Sequence, residues 1–161
     1  MEDGDSLRLT KRSYSQTILT AREENALERN LYINELDYKR LSLLIDDALN
    51  GVTEQNNSLR SLHAELARAT VVNAEEIPRD LVTMRSRVLI TLDDVDKEIS
   101  LVYPQEADRS TGKISILSPI GTAILGYRAG DVIDWLTPGG LKRIRIMKVL
   151  YQPEASGDYE L

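Results

Sequence analysis

The sequence contains no cysteine and no phenylalanine, and only one histidine and one tryptophan, among 161 residues. Without thiols there is no disulfide scaffold, no thiolate zinc site and no cysteine nucleophile, which fits a reducing compartment. A single histidine excludes two-histidine metal sites and makes any nucleophile–histidine pair depend on His63, whose place within an apolar helical stripe reads as a seam or surface side chain. With Trp135 as its one tryptophan, the core must be built from Leu, Ile, Val and the seven tyrosines. No run of eighteen apolar residues occurs, and Met1-Glu2-Asp3-Gly4-Asp5 lacks the layout of a signal peptide, so a cytoplasmic protein away from the membrane is expected. Lys and Arg form no cluster and the net charge is −6, which argues against autonomous duplex-DNA binding, because phosphate neutralisation supplies most of that affinity. A phosphate-cradling loop is also missing, since Gly139-Gly140 is not followed by Lys-Ser/Thr and a helix.

Hydrophobic residues (42%) and charged residues (29%) stand in the proportions of a folded chain, long enough for one main core and a helical appendage. The acidity is uneven: residues 31–76 hold eight acids against four bases, residues 77–161 twelve against eleven. Residues 1–30 show little apolar patterning and read as a flexible or weakly helical extension. Thr20-Ala21-Arg22-Glu23 is a capping-box candidate for a short helix through Glu28.

Asn34 is a helix cap, with Asp37 at the positive end of the helix that follows. Leu41, Leu44, Ile45, Ala48 and Leu49 make one stripe, which Asn50-Gly51 ends. After a polar loop through Asn57, Leu59, Leu62, Leu66 and Ala69 form a narrow packing seam. The two arms, about 22 Å each at 1.5 Å per residue, predict a short antiparallel helical hairpin over 31–76. Pro78 marks the boundary to a second region, 77–161.

There the period changes to two. Val82, Met84, Val88, Ile90 and Leu92 predict one face of a strand opposite Thr83, Arg85, Arg87 and Thr91, with Ser86 interrupting the apolar row. Asp93-Asp94 predicts a turn, residues 99–103 a strand stopped at Pro104, 105–112 a polar loop and 113–117 a short strand. Ser118-Pro119 is an N-cap followed by a first-turn proline, and Gly126 supplies a left-handed C-terminus. Gly121 between them permits close approach of another chain segment. Strands over 132–136 and 141–151 joined by Pro138-Gly139-Gly140 complete an α+β chain: a hairpin stub, then a mainly antiparallel sheet with one short helix. The buried face of the last strand is ambiguous from its pattern.

The carboxylates near the hairpin tip, Asp46, Asp47 and Glu54, allow two readings: a solvated acidic end, or oxygen ligands for Mg²⁺ where a partner completes the shell. No cofactor and no catalytic residue of the chain's own is indicated.

The run Ser118-Pro119-Ile120-Gly121-Thr122-Ala123-Ile124-Leu125-Gly126, with Gly130-Asp131 and Pro138-Gly139-Gly140, resembles the carboxy-terminal domain of the GreA/GreB transcription elongation factors. Val82 to Val88, Leu101-Val102-Tyr103-Pro104 and the ending Tyr151 to Tyr159 are similar to the regulator of nucleoside diphosphate kinase (Rnk) family. The resemblance implies an FKBP-like carboxy-terminal domain and binding to bacterial RNA polymerase at its secondary channel. It also implies that Ser118, Pro119, Ile120 and Gly121 take part in docking, beside their local role in capping and packing. The long Gre finger that carries acids to the polymerase metal is not matched by so short a hairpin, so transcript cleavage by Asp46, Asp47 and Glu54 is not expected. Prolyl isomerisation would need an aromatic pocket that a chain without Phe supplies poorly. The family name adds nucleoside diphosphate kinase as a partner, direct or through transcription.

Overall fold

A computed structural model describes residues 31–51, 57–137 and 139–159, which form one compact unit. The expected extension over 1–30, with its capping box, and Glu54 lie outside these residues.

The chain enters through a three-residue strand, β1 (Tyr32–Asn34), which pairs in parallel with β2 (Thr70–Val72), Tyr32 opposite Thr70 and Asn34 opposite Val72. Between them lie α1 (Glu35–Gly51) and α2 (Asn57–Ala67). Because the strand before α1 hydrogen-bonds to the strand after α2, the helices must run out and back, which is the predicted hairpin. The clasp of β1 on β2 at its base is not legible in the sequence, since three-residue segments are too short to show a period. Asn34 caps α1, its Oδ1 accepting the Asp37 N–H at 2.8 Å. Leu41 and Ile45 of α1 and Leu59, Leu62 and Leu66 of α2 are buried, with Leu44, Ala48, Leu49 and Ala69 packed at their margin, as the stripes require.

The second region is a five-stranded sheet in the order β5-β4-β3-β7-β6, made of β3 (Arg87–Leu92), β4 (Val95–Val102), β5 (Lys113–Ser115), β6 (Val132–Thr137) and β7 (Gly140–Tyr151). All neighbours are antiparallel except β4 and β5, which run parallel. The parallel edge requires a crossover, and residues 103–112 provide it through two 3-10 turns, Pro104–Glu106 and Arg109–Thr111. In β7, Ile144 and Ile146 face the core, and register shifts opposite Arg87/Val88 and Leu89/Ile90 explain why its pattern was ambiguous. Sheet, hairpin and the short helix α3 (Pro119–Ile124) share one apolar cluster, with Trp135 its largest fully buried side chain. A four-residue helix, α4 (Pro153–Ser156), ends the described chain.

One strand boundary needs correction. The alternation from Val82 predicts a strand, yet β3 begins at Arg87, and Thr83 and Ser86 are as buried as Val82 and Met84. Residues 82–86 instead make a tight turn, with the Ser86 N–H on the Thr83 carbonyl at 3.1 Å and Arg85 at φ +62°. The turn stays tied to β4 by Arg85 N–H to Leu101 O (2.6 Å) and Leu101 N–H to Ser86 O (3.0 Å). Period-two alternation survives through the turn, so sequence alone reads it as strand.

The β3–β4 hairpin turns on Asp93 (φ +48°) and Asp94 (φ +66°). A two-residue turn with both φ values positive favours glycine second, so Asp94→Gly is expected to raise stability by about 0.5 kcal/mol, measured by urea unfolding.

Candidate functional site

Two features stand out around the Ser-Pro helix and the hairpin base. The first is a groove of about 830 Å³ between the inner face of the sheet and the start of α3. Leu92, Ile99, Ile114 and Ile120 give it an apolar floor, and Pro119 stands exposed at its rim. Lys97, Arg109, Lys113 and Lys142 border it against two acids, Glu98 and Asp108. In a chain of net charge −6 this is a locally cationic, apolar-floored surface. Lys142 is steadied by an ion pair with Asp93 at 2.9 Å.

The four residues singled out at α3 divide. Ser118 is occupied in structure: its Oγ accepts the Gly121 N–H at 3.0 Å and donates to the Ser115 carbonyl at 2.7 Å. Gly121 is buried, and a Cβ built on it would lie 2.1 Å from the Ser115 carbonyl oxygen. Glycine is thus the residue that lets α3 rest on the chain leaving β5. Thr122 fixes the same contact, donating within reach of Ile116 O (2.8 Å) and Ser118 O (2.9 Å). Ser118, Pro119 and Ile120 line the groove, Gly121 does not, and of the three Pro119 and Ile120 supply its apolar surface.

Of the hairpin acids, Asp46 and Asp47 are exposed near the end of α1, and His63 is exposed on α2. Among the described residues no group of three metal-ligating side chains gathers.

The second feature was not legible in the sequence: a buried polar seam joining hairpin, sheet and carboxy-terminal helix. Asn34 spends both amide hydrogens on carboxylates, one on Asp37 Oδ2 and one on Glu154 Oε1, each at 2.9 Å. The Tyr103 hydroxyl donates to Asp37 Oδ1 at 2.6 Å, and the Thr83 hydroxyl to Glu154 Oε2 at 2.8 Å. Because that hydroxyl proton is committed to Glu154, Ser86 Oγ, 2.9 Å from Thr83 Oγ1, is the donor of their bond while accepting the Thr83 N–H. Gln152 bridges the Pro78 and Leu81 carbonyls at 2.8 Å. Burial raises both the Asp37 and the Glu154 carboxyl above the ordinary carboxylate range, against the hydrogen bonds they receive, and the nearby Asp37 charge raises Glu154 further. The Tyr103 hydroxyl is pushed well up by burial and by the Asp37 charge. Above this seam the guanidinium groups of Arg40 and Arg85 lie over the Tyr103 ring, 6.0 and 5.6 Å from its centre. The one sequence signal was Ser86 standing where an apolar residue was due.

This organisation, a clasped short hairpin hydrogen-bonded to a sheet with a Ser-Pro helix, has relatives. Residues 29–72 match the family described as Rnk N-terminus, and residues 77–151 the family described as transcription elongation factor GreA/GreB, C-term. The regulator of nucleoside diphosphate kinase of Escherichia coli strain K12 is 40% identical over 135 residues, covering 81% of this chain and 96% of that protein. The chain belongs to the Rnk family of GreA/GreB-related factors. Transcription elongation factor GreA of Clostridium botulinum strain Alaska E43 is 35% identical over 106 residues, 65% of this chain and 66% of that protein. A solved prokaryotic transcription elongation factor GreA/GreB from Nitrosomonas europaea superposes with TM-score 0.62 at 43% identity, covering 76% of this chain and 98% of the other. The α+β architecture read from the sequence is therefore that of this family, a group of regulators related to elongation factors.

Proposed function

We propose that the protein is an RNA polymerase-binding transcription regulator that docks at the rim of the secondary channel and performs no catalysis itself. The observation that carries this reading is the cationic, apolar-floored groove beside Pro119 and Ile120, in a chain whose relatives include named elongation factors. Such a groove suits a helical polymerase element with an apolar ridge flanked by carboxylates. The hairpin, held at its base by the polar seam, projects from the docked domain. The 17 residues of α1 span about 25 Å at 1.5 Å per residue, so the hairpin serves to occupy the channel mouth and exclude longer-fingered factors. Asp46 and Asp47 then act as surface charge at the obstruction, without a metal. The localisation that follows from this partner is the bacterial cytoplasm.

The test is competition on bacterial RNA polymerase against a labelled GreB-type factor, with cleavage of stalled RNA recorded in the same samples. Displacement with loss of cleavage is expected, and Ile120→Glu is expected to weaken displacement at least tenfold by placing a charge on the apolar floor. Retained cleavage on displacement would overturn the obstruction role. Absence of binding would overturn the polymerase reading and turn attention to the kinase in the relative's name, by co-purification.

A further inference from the structure

A second groove, of about 740 Å³, opens on the other side of the sheet at the hairpin base. Arg40 of α1, Arg85 of the turn before β3, Arg87 of β3 and Lys113 of β5 line it, with Glu106 as its one acid and the half-buried Tyr151 beside them. Four cations from three segments of the chain, Arg85 and Arg87 lying two residues apart, thus converge in a chain of net charge −6.

Two of them are held in place beforehand. Arg85 adopts φ +62°, a conformation unfavourable for any residue with a Cβ, and its guanidinium lies over Tyr103 while pairing with Glu106 at 2.5 and 3.2 Å. Arg40 lies over the same ring. Arg87 meets Glu98 only at 3.5 Å, with both side chains about half exposed, an ion pair weak enough for a stronger anion to displace.

We infer that this groove binds a phosphate-bearing ligand of nucleotide size, a nucleoside di- or triphosphate. Planar, preset guanidinium groups with a lysine at their side match the oxygens of a diphosphate. The volume falls within the range of small-molecule sites, and the Tyr151 ring adds a surface on which a base can stack. A polynucleotide is the poorer fit. It would need a continuous basic track past the groove, whereas on the same sheet face the exposed Arg145 and Lys148 are interspersed with Asp96, Glu98 and Asp134, the last paired with Arg143. Lys113 borders both grooves, whereas Arg40, Arg85 and Arg87 line this one and not the other, and the inference does not rest on the polymerase reading.

The experiment is calorimetric titration of the full chain with ADP and GDP at low salt, with pyrophosphate and a single-stranded RNA oligonucleotide as comparison probes. Saturable binding of a nucleotide is expected, tighter than that of pyrophosphate and weakened by added salt. Arg87→Glu with Lys113→Glu should weaken it at least tenfold, and Arg85→Gly, which removes the cation while relieving the backbone, should do the same with the fold intact. Lys97→Glu, on the other groove, should leave it unchanged. No saturable nucleotide binding, equal loss in Lys97→Glu, or tighter binding of the RNA than of either nucleotide would overturn the assignment.

Discussion

Gly121→Ala is expected to be among the most destabilising single substitutions in the protein. The added methyl would sit 2.1 Å from the Ser115 carbonyl oxygen and 2.9 Å from its carbon, and both are backbone atoms that cannot rotate away. Relief requires α3 to lift off the chain that leaves β5. That movement breaks the Ser118 and Thr122 bonds to the Ser115 and Ile116 carbonyls, and disturbs Ala123 and Ile124, which are buried in the core. A cost at or above the upper end of the usual overpacking range, about 3 kcal/mol, follows, equivalent to a fall in Tm of roughly 10 °C for a chain of this size. Calorimetry or thermal circular dichroism reads it directly. An unchanged Tm would mean that α3 does not rest on β5 in solution. If the docking role proposed for Pro119 and Ile120 holds, the variant should also weaken the proposed polymerase binding, because both ride on the same helix.

Tyr103→Phe is the second large effect, and its size depends on pH. The substitution keeps the ring under Arg40 and Arg85 but removes the hydroxyl that donates to the buried Asp37 carboxylate. Leaving a buried charged acceptor short of a donor costs about 2 kcal/mol at neutral pH. The hydroxyl favours ionised Asp37 over the neutral acid, so the loss should shrink as pH falls through the raised Asp37 value and Asp37 takes up a proton. The wild-type chain carries the complementary signature. Asp37 and Glu154 titrate above their unfolded values, so between those values and the raised ones the folded state holds more protons than the unfolded chain. Their contribution to stability is full below the unfolded carboxyl range near pH 4, and is lost as pH rises through the raised folded values. Glu106, lowered by its bond to Arg85, acts in the opposite sense below the ordinary range. Urea unfolding of both proteins at a series of pH values from 4 to 8 checks the pattern, using about that interval because both raised carboxyls begin from the ordinary range. A Tyr103→Phe loss independent of pH would show that the hydroxyl does not address an ionised Asp37.

Local rules make much of the architecture legible in the sequence. Asn34 declared a helix start, and Ser118-Pro119 with Gly126 bounded a helix only six residues long. The stripes through Leu41 and Leu62 specified two faces that must meet, and Gly121 signalled a close approach that the Ser115 carbonyl fills. Each of these features is decided within one or two turns of chain, by capping geometry, period or the absence of a Cβ, so the sequence carries them without help from the rest of the molecule. What the sequence could not determine depends on segments far apart in it. The β1–β2 clasp pairs residues 38 positions apart in strands too short to have a period. The parallel edge between β4 and β5 depends on how residues 103–112 cross over, not on the pattern of either strand. The meeting of Asp37 with Tyr103, and of Asn34 and Thr83 with Glu154, turns ordinary surface letters into buried, mutually satisfied groups. A carboxylate is stable in such a place only if donors converge on it from several segments at once. That convergence is a property of the tertiary fold, and it decides here how the hairpin is held on the sheet and where four cations gather beside it.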